Sequence, residues 1–129
     1  MKQSIPKVIT AEYLRQHPDH VFVFGDNTIR KGKGGAAILR DEPNTYGFIT
    51  KKYPNNQDDS FYRPGEYRRM FDKELFDLSF VIFDNPDKTY LISQLGAGLA
   101  NRYHIWESII QPGLEKIRAF PNVVFLWED

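Results

Sequence analysis

The sequence predicts an α/β sandwich with a largely parallel sheet, and three observations carry that prediction. Short β-branched and aromatic runs alternate with stretches of helical periodicity. Brief turns marked by Gly, Pro, Asn and Asp separate them. The chain of 129 residues has no repeats, linkers or low-complexity segments, so residues 1–129 are expected to form one domain.

The elements follow in order. Lys7 to Ile9 is a short strand candidate. Thr10 then stands as the N-cap of a helix over Ala11 to Gln16, which Pro18-Asp19 ends. Val21 to Phe24 is apolar throughout and bounded by turn residues, the pattern of a strand buried on both faces. Ala36 to Arg40 favours helix and is stopped by Glu42-Pro43-Asn44. Gly47 to Thr50 is a second strand, and Lys51 to Gly65 reads as a long surface loop or lid. From Glu66 the apolar residues Tyr67, Met70, Phe71, Leu75, Leu78 and Ile82 recur three and four apart, which predicts a helix ending at Asn85-Pro86. Within it, Phe80 to Phe83 also fits a strand. Tyr90 to Ser93 is a third strand. Ile105, Ile109, Ile110, Leu114, Ile117 and Phe120 share one helical phase, with Pro112-Gly113 expected to kink it. Val123 to Trp127 closes the chain as a strand whose edge leaves a homo-oligomer or a protein partner open.

Composition narrows the function. Lys plus Arg and Asp plus Glu number 17 each, and this neutrality counts against a duplex-gripping protein. The absence of cysteine removes disulfides, thiolate catalysis and Cys-based zinc sites. The three histidines lack the i, i+4 spacing of a helical metal pair, so no metal is expected. His17 and His20 flank the Pro-Asp turn and are read as surface residues. The segment MKQSIPKVIT has no apolar core of the signal-peptide kind, and no window is long enough to span a membrane. A soluble cytoplasmic protein without a cofactor is the expectation.

In open α/β sheets ligands bind beyond the carboxyl ends of the strands. Three loops leave such ends here. The first holds Gly25, Asp26 and Asn27 with Gly32, Lys33, Gly34 and Gly35. The second is Thr50-Lys51-Lys52, and the third runs through Gly96, Ala97, Gly98, Leu99 and Ala100 to Asn101. Glycine lets backbone N–H groups approach an anion closely, and a following helix adds a favourable dipole. Two such loops converge naturally on a diphosphate. Either alone is more often turn chemistry than a ligand site, with Asp26 and Asn27 as turn acceptors and the lysines solvated. No Walker A spacing is present. The third loop is only a partial dinucleotide fingerprint, because Asn101 stands where glycine or alanine is required, and too little chain follows for the acidic ribose contact.

The order of VFVFG-D-N, a glycine-rich turn, GFITK, a long helix and YLISQLGAGLAN resembles the macro domain superfamily, in particular the compact macro-like proteins of bacteria and bacteriophages. The resemblance spans about Val21 to Phe120. It implies a three-layer α/β/α sandwich with a mixed, largely parallel sheet, and a cleft for ADP-ribose or a related adenine-diphosphate nucleotide. Asn27 matches the position near the distal ribose, Gly32, Gly34 and Gly35 the loop after it, and Gly96 to Leu99 the loop around the diphosphate. Asn101 departs from the usual glycine, and Lys51–Gly65 has no counterpart in the pattern.

Such domains divide into binders and ADP-ribosyl hydrolases. Hydrolysis needs a positioned water or a general base, and Asp26, beside Asn27, is the candidate base, with a turn role as its alternative. His104, just past the third loop, is read as a capping or packing residue. Tyr53, Phe61, Tyr62 and Tyr103 are placed around the cleft as stacking candidates or loop anchors. Two alternatives stand beside the nucleotide reading. One is an interaction protein that sequesters a nucleotide signal or blocks a host protein without chemistry. The other is a single-stranded nucleic-acid binder using Lys31, Lys33, Arg63, Arg68 and Arg69, which zero net charge disfavours.

Overall fold

The computed structural model describes residues 4–128. Its sheet has the order β2-β1-β3-β4, formed by β1 (His20–Asn27), β2 (Thr45–Lys51), β3 (Thr89–Ile92) and β4 (Val123–Phe125). All three strand pairs are parallel. The antiparallel component expected of a mixed sheet shrinks, among the described residues, to one isolated bridge between Lys51 and Phe61.

β1 is central because its side chains are apolar in both directions. Val21 and Val23 enter a core with Phe71, Leu75, Leu78 and Ile82 of helix α2 (Pro64–Asp84) and with Ile105, Ile109 and Leu114 from the C-terminal helical segment. Phe22 and Phe24 enter a second cluster with Leu14 of helix α1 (Ala11–Gln16), Ala37 and Leu39. Each such side chain contributes about 1.5–3 kcal/mol on burial. A strand with no polar face can exist only between two covering layers.

Local signals explain the helices that match expectation. The Thr10 hydroxyl accepts the Tyr13 N–H at 3.1 Å and starts α1. Pro64 opens α2, and the Glu66 carboxylate accepts the Arg63 N–H at 3.0 Å. Phe80 to Phe83 is helical: Ile82 is wholly buried while Phe80 and Phe83 face outward, so the helical period prevails over the strand reading.

Several expectations are corrected. Lys7 to Ile9 is not a strand; Ile9 anchors in the second cluster and Val8 is exposed, and the cap at Thr10 follows at once. Ala36 to Arg40 is not an α-helix but part of a 3₁₀ turn, Gly35–Leu39. The few residues between the glycines and Glu42-Pro43 are too short for α-helix nucleation. The kinked helix over 105–120 is a change of winding: a π turn at Trp106–Ile110, helix α3 (Gln111–Leu114), and a 3₁₀ turn at Glu115–Ile117. Pro112 has no N–H to give the preceding turn, and the ladder widens there. The final strand stops at Phe125, after which Trp127 stacks on the Phe125 ring at 4.8 Å and meets Trp106 edge-on. His20 is buried, not on the surface, because α1 folds back over the start of β1. Its Nδ1 is 2.8 Å from the Tyr13 hydroxyl, and the His17 ring stacks on both Tyr13 and His20. Burial lowers the His20 pKa, against the opposing charge of Asp19.

The outer edge of β2 is sealed by side chains. Arg30 Nη1 donates to the Gly47 carbonyl at 2.7 Å, the Ile49 N–H donates to Glu74 at 2.7 Å, and the Tyr67 hydroxyl donates to the Ile49 carbonyl at 2.6 Å. No helix among the described residues is long and apolar enough to cross a membrane.

Gly113 lets the Phe71 ring lie directly on the backbone, since a Cβ there would collide with the ring carbons. Gly113→Ala is expected to destabilise the fold by about 1–3 kcal/mol, read as a lowered urea midpoint with an unchanged slope.

Candidate functional site

Strands β1 and β3 are neighbours whose chains leave in opposite directions: β1 connects outward to β2, and β3 to β4. The connections after them pack on opposite faces of the sheet, Gly35–Leu39 with the second cluster and Trp106–Leu114 with the first. The two departing loops therefore part at the carboxyl ends of β1 and β3. This is the switch point at which open parallel sheets hold ligands.

A cleft of about 530 Å³ occupies that position. It is lined by Gly25, Asp26, Asn27, Gly32, Lys33, Gly34, Gly35, Thr50, Lys51, Gly96, Gly98 and Leu99, all expected from the sequence. Lys31, Ala36, Ala37, Pro54, Asn56, Ser93, Gln94, Leu95 and Ala100 complete it. Ser93 and Gln94 were findable, since they follow β3 directly as Gly25 to Asn27 were taken to follow the first strand. Pro54 and Asn56 show that the 51–65 segment forms one wall. That placement depends on tertiary anchoring by buried Ser60, Phe61 and Tyr62, which sequence pattern does not reveal.

Two expected residues do not line the cleft. Ala97 packs against the main core. Asn101 accepts the Trp106 N–H at 2.9 Å and donates to Glu107 at 2.7 Å, so it caps the C-terminal helical segment. That task explains asparagine where a glycine was expected.

Gly25, Asp26 and Asn27 are the last residues of β1, not a loop leaving it. Asp26 is paired with Ile49 and Asn27 with Lys51, so Thr50 is an extra residue, a bulge at the cleft. Asp26 is buried and fully engaged. Arg40 grips both carboxylate oxygens, at 2.5 and 3.1 Å, Arg30 adds a contact at 3.2 Å, and the Asn27 N–H donates at 2.8 Å. Burial alone would raise this carboxyl, but the hydrogen bonds from Arg40, the Asn27 N–H and Arg30 outweigh it and hold the group below the ordinary aspartate range. Asp26 is thus an ionised structural anchor, with no lone pair free to take a substrate proton. Arg40 and Arg30 were missed at the sequence level, because nothing in their spacing marks them as partners of Asp26.

Asn27 shapes the loop that follows. Its side-chain oxygen accepts the Ile29 N–H at 3.1 Å, and its Nδ2 donates to the Lys31 carbonyl at 2.7 Å. Arg30 is thereby turned into the left-handed region at φ 58°, a conformation that costs a non-glycine residue on the order of 1 kcal/mol. The Gly47 position makes room for the clamp: a Cβ there would strike Asp26 Oδ2.

The glycines separate into two kinds. Gly96 lies at φ 74° with Ile110 Cδ1 only 2.6 Å from where a Cβ would sit, so it is demanded by the fold. Gly34 and Gly98 face open space. The helical turns after the loops are one turn long, Gly35–Leu39 and Leu99–Asn101. The expected helix dipole is therefore slight, and the cations that line the cleft are Lys31, Lys33 and Lys51. Lys33 is paired with Asp41. Lys51 lies over the Phe61 ring, and burial lowers its pKa, with Arg102 adding to the effect.

The proposed aromatic rim is not assembled. Phe61 and Tyr62 are buried anchors, Tyr103 bonds Asp58 and carries the Arg63 guanidinium on its ring, and Tyr53 does not line the cleft. His104 points to solvent and pairs with Glu107 at 3.4 Å. Arg63 is paired with Asp58, while Lys31 and Lys33 line the cleft, so the basic residues of the nucleic-acid reading do not form one track.

Fold and site together define a parallel α/β protein with a cleft at its switch point. Residues 4–100 match a family of unknown function (DUF7831), and the chain belongs to that family. The match contains β1 to β3 and both glycine loops up to Ala100. Searches of curated proteins and of solved structures gave no match.

The Asp26 clamp has a signed pH dependence. Its folded pKa is depressed, so its contribution is complete above the unfolded value of about 4 and is lost as pH falls through the folded one. Asp26→Asn is expected to cost about 3–5 kcal/mol at neutral pH by leaving Arg40 unpaired. Urea midpoints measured across acidic pH should fall less steeply in the variant than in the wild type.

Proposed function

We propose that the cleft binds ADP-ribose or a related adenine-diphosphate nucleotide, and does so without hydrolysing it. The observation that carries this reading is the meeting of two glycine-bearing loops from separate strands in one cleft, with Lys31, Lys33 and Lys51 around it. Close backbone approach suits a diphosphate, and the lysines supply its counter-charge. Leu99, Ala36 and Ala37 offer an apolar surface for a base or ribose. A volume of about 530 Å³ lies in the usual range of small-ligand sites. A sheet covered on both faces also accords with the layered sandwich of the macro-like proteins that the sequence resembles.

Binding without turnover is favoured by the state of Asp26. The one carboxylate at the expected base position is held by two arginines, and Asn27 is committed to the 29–31 turn. On this reading the protein senses or sequesters a nucleotide, and the 54–56 wall helps to retain it.

Calorimetric titration with ADP-ribose, NAD, cyclic ADP-ribose and a short oligonucleotide tests the proposal. ADP-ribose should bind with Kd below about 1 mM, with no release of ADP-ribose from a modified protein. Gly34→Glu and Gly98→Glu each place a carboxylate in open space at the cleft, and should weaken binding at least about tenfold with an unchanged Tm. Wild-type affinity in both folded variants, or no adenine nucleotide bound at millimolar concentration, defeats the reading.

A further inference from the structure

The segment between Lys52 and Ser60 is fixed at its base and loosely held along its span. The Lys52 carbonyl accepts both the N–H and the hydroxyl of Thr28, at 3.1 and 2.6 Å. The Lys52 N–H donates to the carbonyl of wholly buried Ser60 at 2.8 Å. Residues 53–59 between these anchors are all exposed, and none belongs to either core cluster. Such a stretch opens far more easily than the strands beneath it. It nevertheless runs from the first glycine loop to the end of the third, and Pro54 and Asn56 on the way line the cleft. Pro54 packs on Gly32, where a Cβ would stand 3.2 Å from the proline side chain. Asp58 accepts the Tyr103 hydroxyl and also Arg102 Nη1, the latter at 3.3 Å. Arg63 pairs with its other carboxylate oxygen at 3.6 Å and donates to the Tyr103 hydroxyl at 3.3 Å.

We propose that residues 53–59 are a strap that opens and closes one side of the cleft, with Asp58 as its latch. The chemistry suits a latch better than a fixture. Asp58, Arg63 and Arg102 are all exposed. Exposed ion pairs contribute little to stability and are screened by salt, so Asp58 can let go without disturbing the sheet. A ligand shifts such an equilibrium only by meeting the two positions differently. Two features supply that difference. Pro54 and Asn56 form a wall of the cleft only while the strap lies across it. Lys51 and Arg102 lie over the same Phe61 ring, at 5.0 and 4.2 Å. An anion beside Lys51 offsets the repulsion between these two cations and so favours Arg102 in its latched position. This coupling to an anion rests on the nucleotide reading of the cleft, whereas the strap and its latch do not.

The chain has no cysteine, so Gln57→Cys on the strap and Phe76→Cys on α2, both exposed positions, take a pair of spin labels. Pulsed electron paramagnetic resonance of the labelled full chain should give one narrow distance distribution. Adding Arg102→Ala should broaden it toward a second, longer population. A distribution indifferent to Arg102→Ala overturns the latch, whatever the cleft binds. The second arm uses ADP-ribose as the probe. Asp58→Ala should raise its dissociation rate at least about tenfold with an unchanged Tm. Asp77→Ala breaks an exposed ion pair on α2 outside the cleft and should leave that rate at the wild-type value. ADP-ribose that binds and leaves Asp58→Ala at the wild-type rate overturns the strap as a gate. If no adenine nucleotide binds, the nucleotide reading falls by itself and the label distances decide the strap.

Discussion

The buried Asp26 carboxylate, held between Arg40 and Arg30, is the constraint on which the functional end of the molecule depends. Asp26 ends the central strand, Arg40 follows the 3₁₀ turn, and Arg30 sits within the glycine loop. One negative charge thereby fixes three separate points of the chain around the cleft. Taking a carboxylate out of water is costly, and only the bidentate geometry and the added N–H from Asn27 offset it. Arg40 also lies over the Phe24 ring, so the clamp is continuous with the second hydrophobic cluster. The loop is positioned by this clamp together with the Asn27 bonds to Ile29 and Lys31 and the Arg40 bond to the Gly32 carbonyl.

The same constraint separates the residues that build the cleft from those free to act in it. Asp26, Asn27 and Gly96 are committed to structure by their bonds, turn and backbone angle. Gly34 and Gly98 meet nothing where a side chain would stand, and Lys31 and Leu99 line the cleft beside them. Thr50, bulged out of β2 and buried, lies between the two loops: its Oγ1 is 3.5 Å from the Asp26 carbonyl, and its methyl faces Gly96. The cleft floor is thus rigid and its rim is adaptable, the division expected of a site that receives a ligand.

Much of this was legible in the sequence because it rests on local pattern. VFVF reads as a doubly buried strand, and the spacing from Tyr67 to Ile82 reads as a helix even though Phe80 to Phe83 also fits a strand. The paired glycine segments marked the cleft because both follow β-type runs. What stayed hidden rests on contacts distant in sequence. Arg40 reads as the end of a helical stretch until the fold brings it to Asp26, fourteen residues away. His20 reads as a turn residue until α1 folds over it. The winding changes around Pro112 follow from a missing donor in a crowded layer, where Gly113 meets Phe71. Asn101 read as a defective glycine because its capping partners lie ahead of it in the chain.

Arg30 also belongs to two structures at once. It is part of the glycine loop, and it closes the outer edge of β2 by bonding the Gly47 carbonyl. An exposed strand edge is a template for aggregation. Arg30 guards that edge together with Glu74 and Tyr67, so the position of the glycine loop and the closure of the sheet are fixed by one side chain in common.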